Sequence, residues 1–173
     1  MKRKMMYILV VLFTIGSINI ILKYNQQTKT QFSTVTHADW PEKNFEELTN
    51  EADVIAIVQV KAQKNKEEPI GEGHFLERKY SNLDVKKILK GNLDTEIVLN
   101  QAVDYIGEKG QYLMFLRVGE DGFYYELTDN AIVPYKNGKY ISEIEDLNNI
   151  FQEEEIINEI NIQMDNLSNS KIE

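Results

Sequence analysis

Residues 111–118 read QYLMFLRV and form the most apolar stretch of the chain after its first 23 residues. Successive side chains of a β-strand point to opposite faces, and here both faces are apolar. A strand that is apolar on both faces is typical of a sheet covered on both sides. We therefore predict a central strand, with Tyr112, Met114, Leu116 and Val118 on one face and Leu113 and Phe115 on the other.

Strand patterns also precede and follow this segment. Residues 52–61 have apolar side chains at every second position, and at the start of this segment the opposite face is apolar as well. An extended stretch from about 74 to 89 changes the phase of its alternation around Lys86 and Lys87, which predicts a β-bulge. Asn137-Gly138 between two tyrosines predicts a two-residue hairpin turn. Further strands are predicted at 95–101, 123–127 and 131–135.

Short strands with regularly spaced turns predict a mainly β fold. Five or six strands and one bulge favour a small closed or nearly closed antiparallel β-barrel over residues 39–141. A β-sandwich is the alternative arrangement. A short N-terminal helix near residues 42–50 is expected to pack on this domain, because an isolated helix of that length is unstable in water.

A longer helix is predicted at 142–167, after the barrel, with a frayed tail at 168–173. Ser142 and Glu145 match a capping box, and apolar residues at helical spacing follow. Acidic residues 153–155 interrupt the pattern, and a second apolar stripe comes after them. That stripe either packs on the same domain or binds a partner helix; it consists of Ile157, Ile160, Met164 and Leu167.

The N-terminal segment predicts where the chain resides. A basic tip at 1–4 precedes an apolar run at 5–22. As a helix at about 1.5 Å per residue, this run spans about 27 Å, close to the roughly 30 Å of bilayer hydrocarbon. Signal peptidases cleave after small residues, but only bulky residues end this run, so we expect an uncleaved single-pass anchor in the cell membrane. The basic residues before the run predict that the chain after it is outside the cytoplasm, with a flexible tether at 23–38 followed by an extracytoplasmic domain. The alternative is a cleaved leader and a secreted domain.

Charge and cysteine content exclude several classes of function. The first 23 residues contain four of the 19 basic side chains and none of the 28 acidic ones, which leaves the remainder with a net charge of −13. Such a surface repels phosphates, so nucleic acid is not an expected partner. The chain has no cysteine. Disulfides, thiolate nucleophiles and thiolate zinc sites are therefore excluded.

The residues of catalytic chemistry do not form a recognisable pattern. The two histidines, His37 and His74, lack metal-ligand spacing, and no nucleophile-elbow, phosphate-loop, dinucleotide or calcium-loop motif occurs in the sequence. We therefore expect no catalytic, metal or cofactor site. Trp40, the only tryptophan, acts either as a ligand platform or as a buried plug, and Tyr124 is expected to be exposed between the core-facing Phe123 and Tyr125.

The order of these patterns resembles bacterial relatives of the netrin-like domain. The resemblance implies an OB-type barrel with terminal helices, a fold shared with tissue inhibitors of metalloproteinases. In those inhibitors an N-terminal cysteine chelates the protease zinc, and no residue of this cysteine-free chain takes over that role. The similar segments are Phe45-Glu46-Glu47-Leu48, Ala52-Asp53-Val54-Ile55, Leu83-Asp84-Val85, Leu89-Lys90-Gly91, residues 111–116 and Ile132-Val133-Pro134.

Together these features predict a membrane-anchored extracytoplasmic binding or interaction module without catalytic activity. Its expected partner is a protein or a ligand of the cell envelope. The alternative function is an inhibitor or immunity-type protein that blocks a secreted protease or toxin. The candidate partner-binding residues are Trp40, Tyr124, Ile157, Ile160 and Met164.

Overall fold

The computed structural model describes residues 41–101, 106–147 and 150–170. The expected basic tip, membrane anchor and tether, together with Trp40, lie outside the described residues. Neither helix of the described ranges has the length and apolarity needed to cross a bilayer. The prediction of a membrane anchor at 5–22 therefore remains a prediction.

The described chain is mainly β, with eight strands and a helix at each end. The described chain has eight strands, more than the five or six predicted. The two additional strands are short and follow the Asn137-Gly138 turn: one lies at the end of the predicted barrel, and the other lies within the predicted helix. The strands are β1 (Val54–Gly71), β2 (His74–Lys90), β3 (Glu96–Gln101), β4 (Gln111–Val118), β5 (Tyr124–Glu126), β6 (Ile132–Lys136), β7 (Lys139–Ile141) and β8 (Ile150–Phe151).

Five of the strands pair in a partial ring, in the order β1-β2-β3-β5-β4 and back to β1. The contact between β3 and β5 is a single parallel pair, Leu99 with Tyr124. The sheet is therefore mixed, and the prediction of a purely antiparallel barrel was wrong. An odd number of strands cannot alternate in direction all the way around a ring, so one neighbouring pair has to be parallel.

The central strand lies where its apolar pattern predicts. β4 pairs with β1 along one edge, from Gln111 to Leu116, and with β5 and β6 along the other. Leu113 and Phe115 belong to one buried cluster, and Met114 and Leu116 belong to a second. Both faces of β4 are thus covered from Tyr112 to Leu116, whereas Val118 at its end is exposed.

The two clusters lie on opposite faces of β1 and β4. One fills the ring and includes Val58, Leu83 and Leu99. The other lies between the sheet and the helices, where Leu48 of the first helix and Ile160 of the second are fully buried. The ring therefore has an interior core, and the helices cover one of its outer faces.

β1 and β2 form a hairpin much longer than the sequence suggested. β4 pairs with β1 up to Gln59, and β3 pairs with β2 from Lys79 onward. Residues 66–78, which we call the arm, pair only with each other among the described residues. The predicted bulge is confirmed, because the register of β2 shifts between Val85 and Lys87.

The helices bracket the strands. Helix α1 (Phe45–Glu51) begins with a capping box in which Asn44 and Glu47 bond each other's backbone amides. Helix α2 (Glu153–Ser170) begins eleven residues later than predicted. The Ser142 hydroxyl instead accepts a hydrogen bond from the Ile144 amide in a turn, and β8 then pairs with β7. The acidic residues 153–155 are the first turn of α2, where negative charge is stabilised by the helix dipole.

Candidate functional site

A depression of about 600 Å³ opens on the outside of the ring, between the base of the arm and the turn that joins β4 to β5. We refer to it as the depression. β1 contributes Lys64, Lys66 and Glu68 to its wall, and β2 contributes Arg78 and Tyr80. Side chains two residues apart on a strand share a face, so the regular pairing of the arm places all five on one side of the ribbon.

Like charges meet across this part of the hairpin. Lys66 lies directly opposite Arg78, and Lys64 lies opposite Tyr80. Directly opposed like charges destabilise a strand pair. Glu68 partly offsets the repulsion, since its carboxylate is 3.4 Å from the Lys66 Nζ and 4.0 Å from the Arg78 Nε.

The Tyr80 hydroxyl donates a short hydrogen bond to Glu68 Oε1. This bond, with a smaller contribution from burial, raises the pKa of Tyr80 to about 12. The same bond is the main cause that lowers the pKa of Glu68. The Lys66 Nζ also lies 5.7 Å from the centre of the Tyr80 ring. Tyr80 therefore stays protonated, Glu68 stays ionised, and both side chains are held in place.

The opposite wall is built by the β4–β5 turn, β5 and the end of β3. Asp121 Oδ1 accepts the Phe123 amide at 3.1 Å, and Asp121 Oδ2 accepts the Tyr125 hydroxyl at 2.5 Å. The Asn100 side-chain amide donates to the Tyr125 oxygen at 3.2 Å. The Phe123 ring meets Tyr80 edge-on, with 5.1 Å between ring centres. An aromatic contact thus connects the two walls.

The bond from Tyr125 is the main cause that lowers the pKa of Asp121. Burial, followed by the bond to Asp121, raises the pKa of Tyr125. Both carboxylates of the depression, Glu68 and Asp121, are therefore ionised at neutral pH and already bound by tyrosine hydroxyls. Three cationic side chains, Lys64, Lys66 and Arg78, face these two carboxylates.

Two polar atoms at the depression are buried and unbonded. Asn100 is 5% exposed, and its Oδ1 has no hydrogen-bond partner within the described ranges. The Arg78 Nε–H is likewise buried and makes no hydrogen bond in that part of the chain, although Glu68 Oε2 lies 4.0 Å away. Native proteins leave few such groups unpaired, and each one calls for an explanation. Two residues that line the depression, Asn100 and Arg78, therefore have one buried acceptor and one buried donor that are not hydrogen-bonded.

The depression combines cationic, carboxylate, amide and aromatic side chains. No group of three or more histidine or acidic side chains arranged to hold a metal ion occurs among the described residues. His74 lies at the far end of the arm and is exposed. A second depression of about 410 Å³ contains Asp129, Asn130 and Tyr112. There the Asn130 amide donates to the Lys43 carbonyl, and the Tyr112 hydroxyl accepts from the Gly107 amide.

Of the candidate partner-binding residues, the four that the structure describes do not line the depression: Tyr124, Ile157, Ile160 and Met164. Tyr124 is half-buried and packs on the cluster inside the ring, whereas Phe123 and Tyr125 line the depression, which reverses the expected orientation of this strand. Ile160 of α2 is fully buried in the cluster between the sheet and the helices, and the partly buried Ile157 and Met164 pack on the same cluster. Their stripe covers this domain, as one of the two sequence interpretations proposed.

Sequence reasoning missed the lysines of β1 at the depression because the first strand was predicted to end at residue 61, whereas Arg78 lay within the predicted extended stretch from 74 to 89. A signal was present in the alternation of Lys64, Lys66 and Glu68, which places three charged side chains on one face of a strand. No family model and no curated protein matches this chain.

Proposed function

We propose that this chain is a membrane-anchored extracytoplasmic binding module without catalytic activity, and that its ligand occupies the depression. We also propose that the five-strand ring is an OB-type barrel, as the netrin-like resemblance implies. In OB folds the face of strands 2 and 3, with the 1–2 and 4–5 loops, is the usual place for oligonucleotides or oligosaccharides. The depression lies between the β1–β2 hairpin and the β4–β5 turn of this ring.

The observation that supports binding most strongly is the preorganisation of the depression. Four side chains from separate elements are already fixed by hydrogen bonds: Glu68, Tyr80, Asn100 and Tyr125. A ligand that binds prearranged groups avoids the entropy cost of ordering them. The partly exposed Phe123 adds an aromatic surface beside these polar groups.

A panel of ligands tests this proposal on the full-length chain in nanodiscs. Acidic oligosaccharides, neutral oligosaccharides and short peptides are titrated, and each is then recovered and checked for chemical change. We expect at least one class to bind and to be recovered intact. Phe123→Ala should weaken that binding about tenfold, or about 1.4 kcal/mol.

The matched control is Phe75→Ala, which removes a 55% exposed phenylalanine from the tip of the arm, outside the depression. It should leave the affinity unchanged. Absence of binding by all three classes, equal losses in the two variants, or conversion of the ligand to product would each contradict the proposal.

The arm supports the second candidate function, an inhibitor or immunity-type protein. Its tip exposes Ile70 at 61% and Phe75 at 55% next to the Gly71–Gly73 turn. Exposed apolar side chains on a projecting hairpin suit insertion into a cleft of another protein. An inhibitor acting in this way should lose potency with Phe75→Ala and keep it with Phe123→Ala. Undiminished proteolysis across a panel of secreted proteases would eliminate this candidate.

A further inference from the structure

The charges of the arm are sorted between its two faces. Lys66 and Arg78 are opposed on the face that lines the depression, and Glu67 and Glu77 are opposed on the other face. The depression has three cations against two carboxylates, in a chain whose overall net charge is −9. It is therefore a locally cationic site on an acidic protein.

An anionic group would complete the interactions of this face. Glu68 offsets the repulsion between Lys66 and Arg78 only in part, and a ligand carboxylate beside them adds a second negative charge and an acceptor for the Arg78 guanidinium. Arginine is well suited to this task because its planar guanidinium matches the geometry of a carboxylate. The acidic remainder of the protein repels a polyanion, so a ligand with a single negative charge fits this site better than nucleic acid.

The ligand must also donate hydrogen bonds. The buried Asn100 Oδ1 accepts none from the described protein, and the Asn100 amide is committed to the Tyr125 oxygen. A hydroxyl of the ligand is a suitable donor to this oxygen. The Phe123 ring makes a T-shaped contact with Tyr80 and is only partly buried, which leaves apolar ring surface for the carbon face of a sugar.

From these three features we infer that the depression binds a saccharide bearing one carboxylate, with Arg78 and Lys66 at the carboxylate, Asn100 at a ring hydroxyl and Phe123 against the sugar ring. This inference rests on the proposed binding function and specifies its ligand class. It assigns the cationic side chains a task that the fold itself does not require.

The test uses a matched pair of ligands and the full-length chain in nanodiscs. One ligand is a trisaccharide with a single glucuronate, and the other is the same trisaccharide with that carboxyl reduced to an alcohol. Calorimetry should give at least tenfold tighter binding of the acid. Inorganic phosphate alone should bind more weakly than the acidic trisaccharide.

Arg78→Gln should abolish the preference for the acid, and Lys66→Gln should reduce it, which provides a second variant if the first does not fold. Lys87→Gln is the control, because this exposed lysine is on the same strand but outside the depression. Equal binding of acid and alcohol, phosphate as tight as the trisaccharide, or an unchanged preference in Arg78→Gln would overturn the inference. Peptide binding that Phe123→Ala weakens would also overturn the inference and leave the binding function intact. The binding function itself fails if no class binds in the depression or if the bound ligand is converted to product.

Discussion

Individual side chains in this protein differ in whether their polar groups are satisfied. Tyr80, Glu68, Tyr125 and Asp121 are bonded in pairs, and each pair fixes a wall of the depression. Glu126 on β5 is different, because its Oε2 is buried without a hydrogen-bond partner in the described chain. Unpaired buried groups lower the free energy of unfolding, so Glu126 is a site where the fold is under-stabilised.

Glu126 should make stability depend on pH. Burial is the main cause that raises its pKa from 4.5 to about 6. The folded state then binds more protons than the unfolded chain between these values, so the free energy of unfolding falls as pH rises through that window. Glu126→Gln should remove this fall and stabilise the protein at pH 7.5 by about 2 kcal/mol, with little gain at pH 4. Urea denaturation at the two pH values measures the difference.

The control for this experiment is Glu145→Gln, which changes an exposed carboxylate in a turn. It should change the free energy of unfolding only slightly, and by the same amount at both pH values. A Glu126→Gln variant that is no more stable than the native protein at pH 7.5 would show that burial does not penalise this carboxylate.

At the scale of elements, a strand could be predicted from the sequence only where its apolar residues form a clear pattern. β4 was predicted with its observed bounds because both of its faces are apolar. The first half of the arm was missed because lysine and glutamate have low strand propensity, and only pairing with the second half makes them a strand. The start of α2 was misplaced because the segment after Ser142 uses its apolar residues, Ile144 and Leu147, in the core without forming a helix.

Two glycines with nearly identical backbone conformation should respond differently to substitution. Gly91 and Gly138 have φ of +82° and +83°. A Cβ at Gly138 meets nothing within 4 Å, whereas one at Gly91 would lie 2.3 Å from the Asp53 carbonyl oxygen. Gly138→Ala should cost about 1 kcal/mol from backbone strain alone. Gly91→Ala should cost several times more, since the β2 end and the chain before β1 must separate.

Thermal unfolding of the two variants in parallel measures this difference, and Gly138→Ala serves as the control for the positive φ. Equal losses of stability would mean that the close approach of Gly91 to Asp53 does not constrain this turn.

At the scale of the whole molecule, sequence and structure contribute different parts of the account. Composition and the N-terminal run predict export and anchoring, but they do not identify a binding surface. The depression depends on side chains from β1, β2, β3 and the β4–β5 turn, which are far apart in the sequence. Tyr124 was assigned to the wrong face because its parallel pairing with Leu99, which closes the ring, has no local sequence signal.

The expected topology places the C-terminal helix outside the cell. An epitope tag attached after the last residue should therefore be removed by external protease in intact, wall-stripped cells, while a cytoplasmic marker protein survives. A tag that resists the protease until the cells are lysed would contradict the proposed orientation.

The most direct test of the account is to locate a bound ligand on the protein. The ¹⁵N-labelled full-length chain in nanodiscs is titrated with the glucuronate trisaccharide, and amide chemical shifts are followed. The account predicts that the largest changes cluster at the two walls of the depression, at Arg78, Tyr80, Asn100, Phe123 and Tyr125. Changes confined to the arm tip around Ile70 and Phe75, or no changes at saturating concentration, would contradict it.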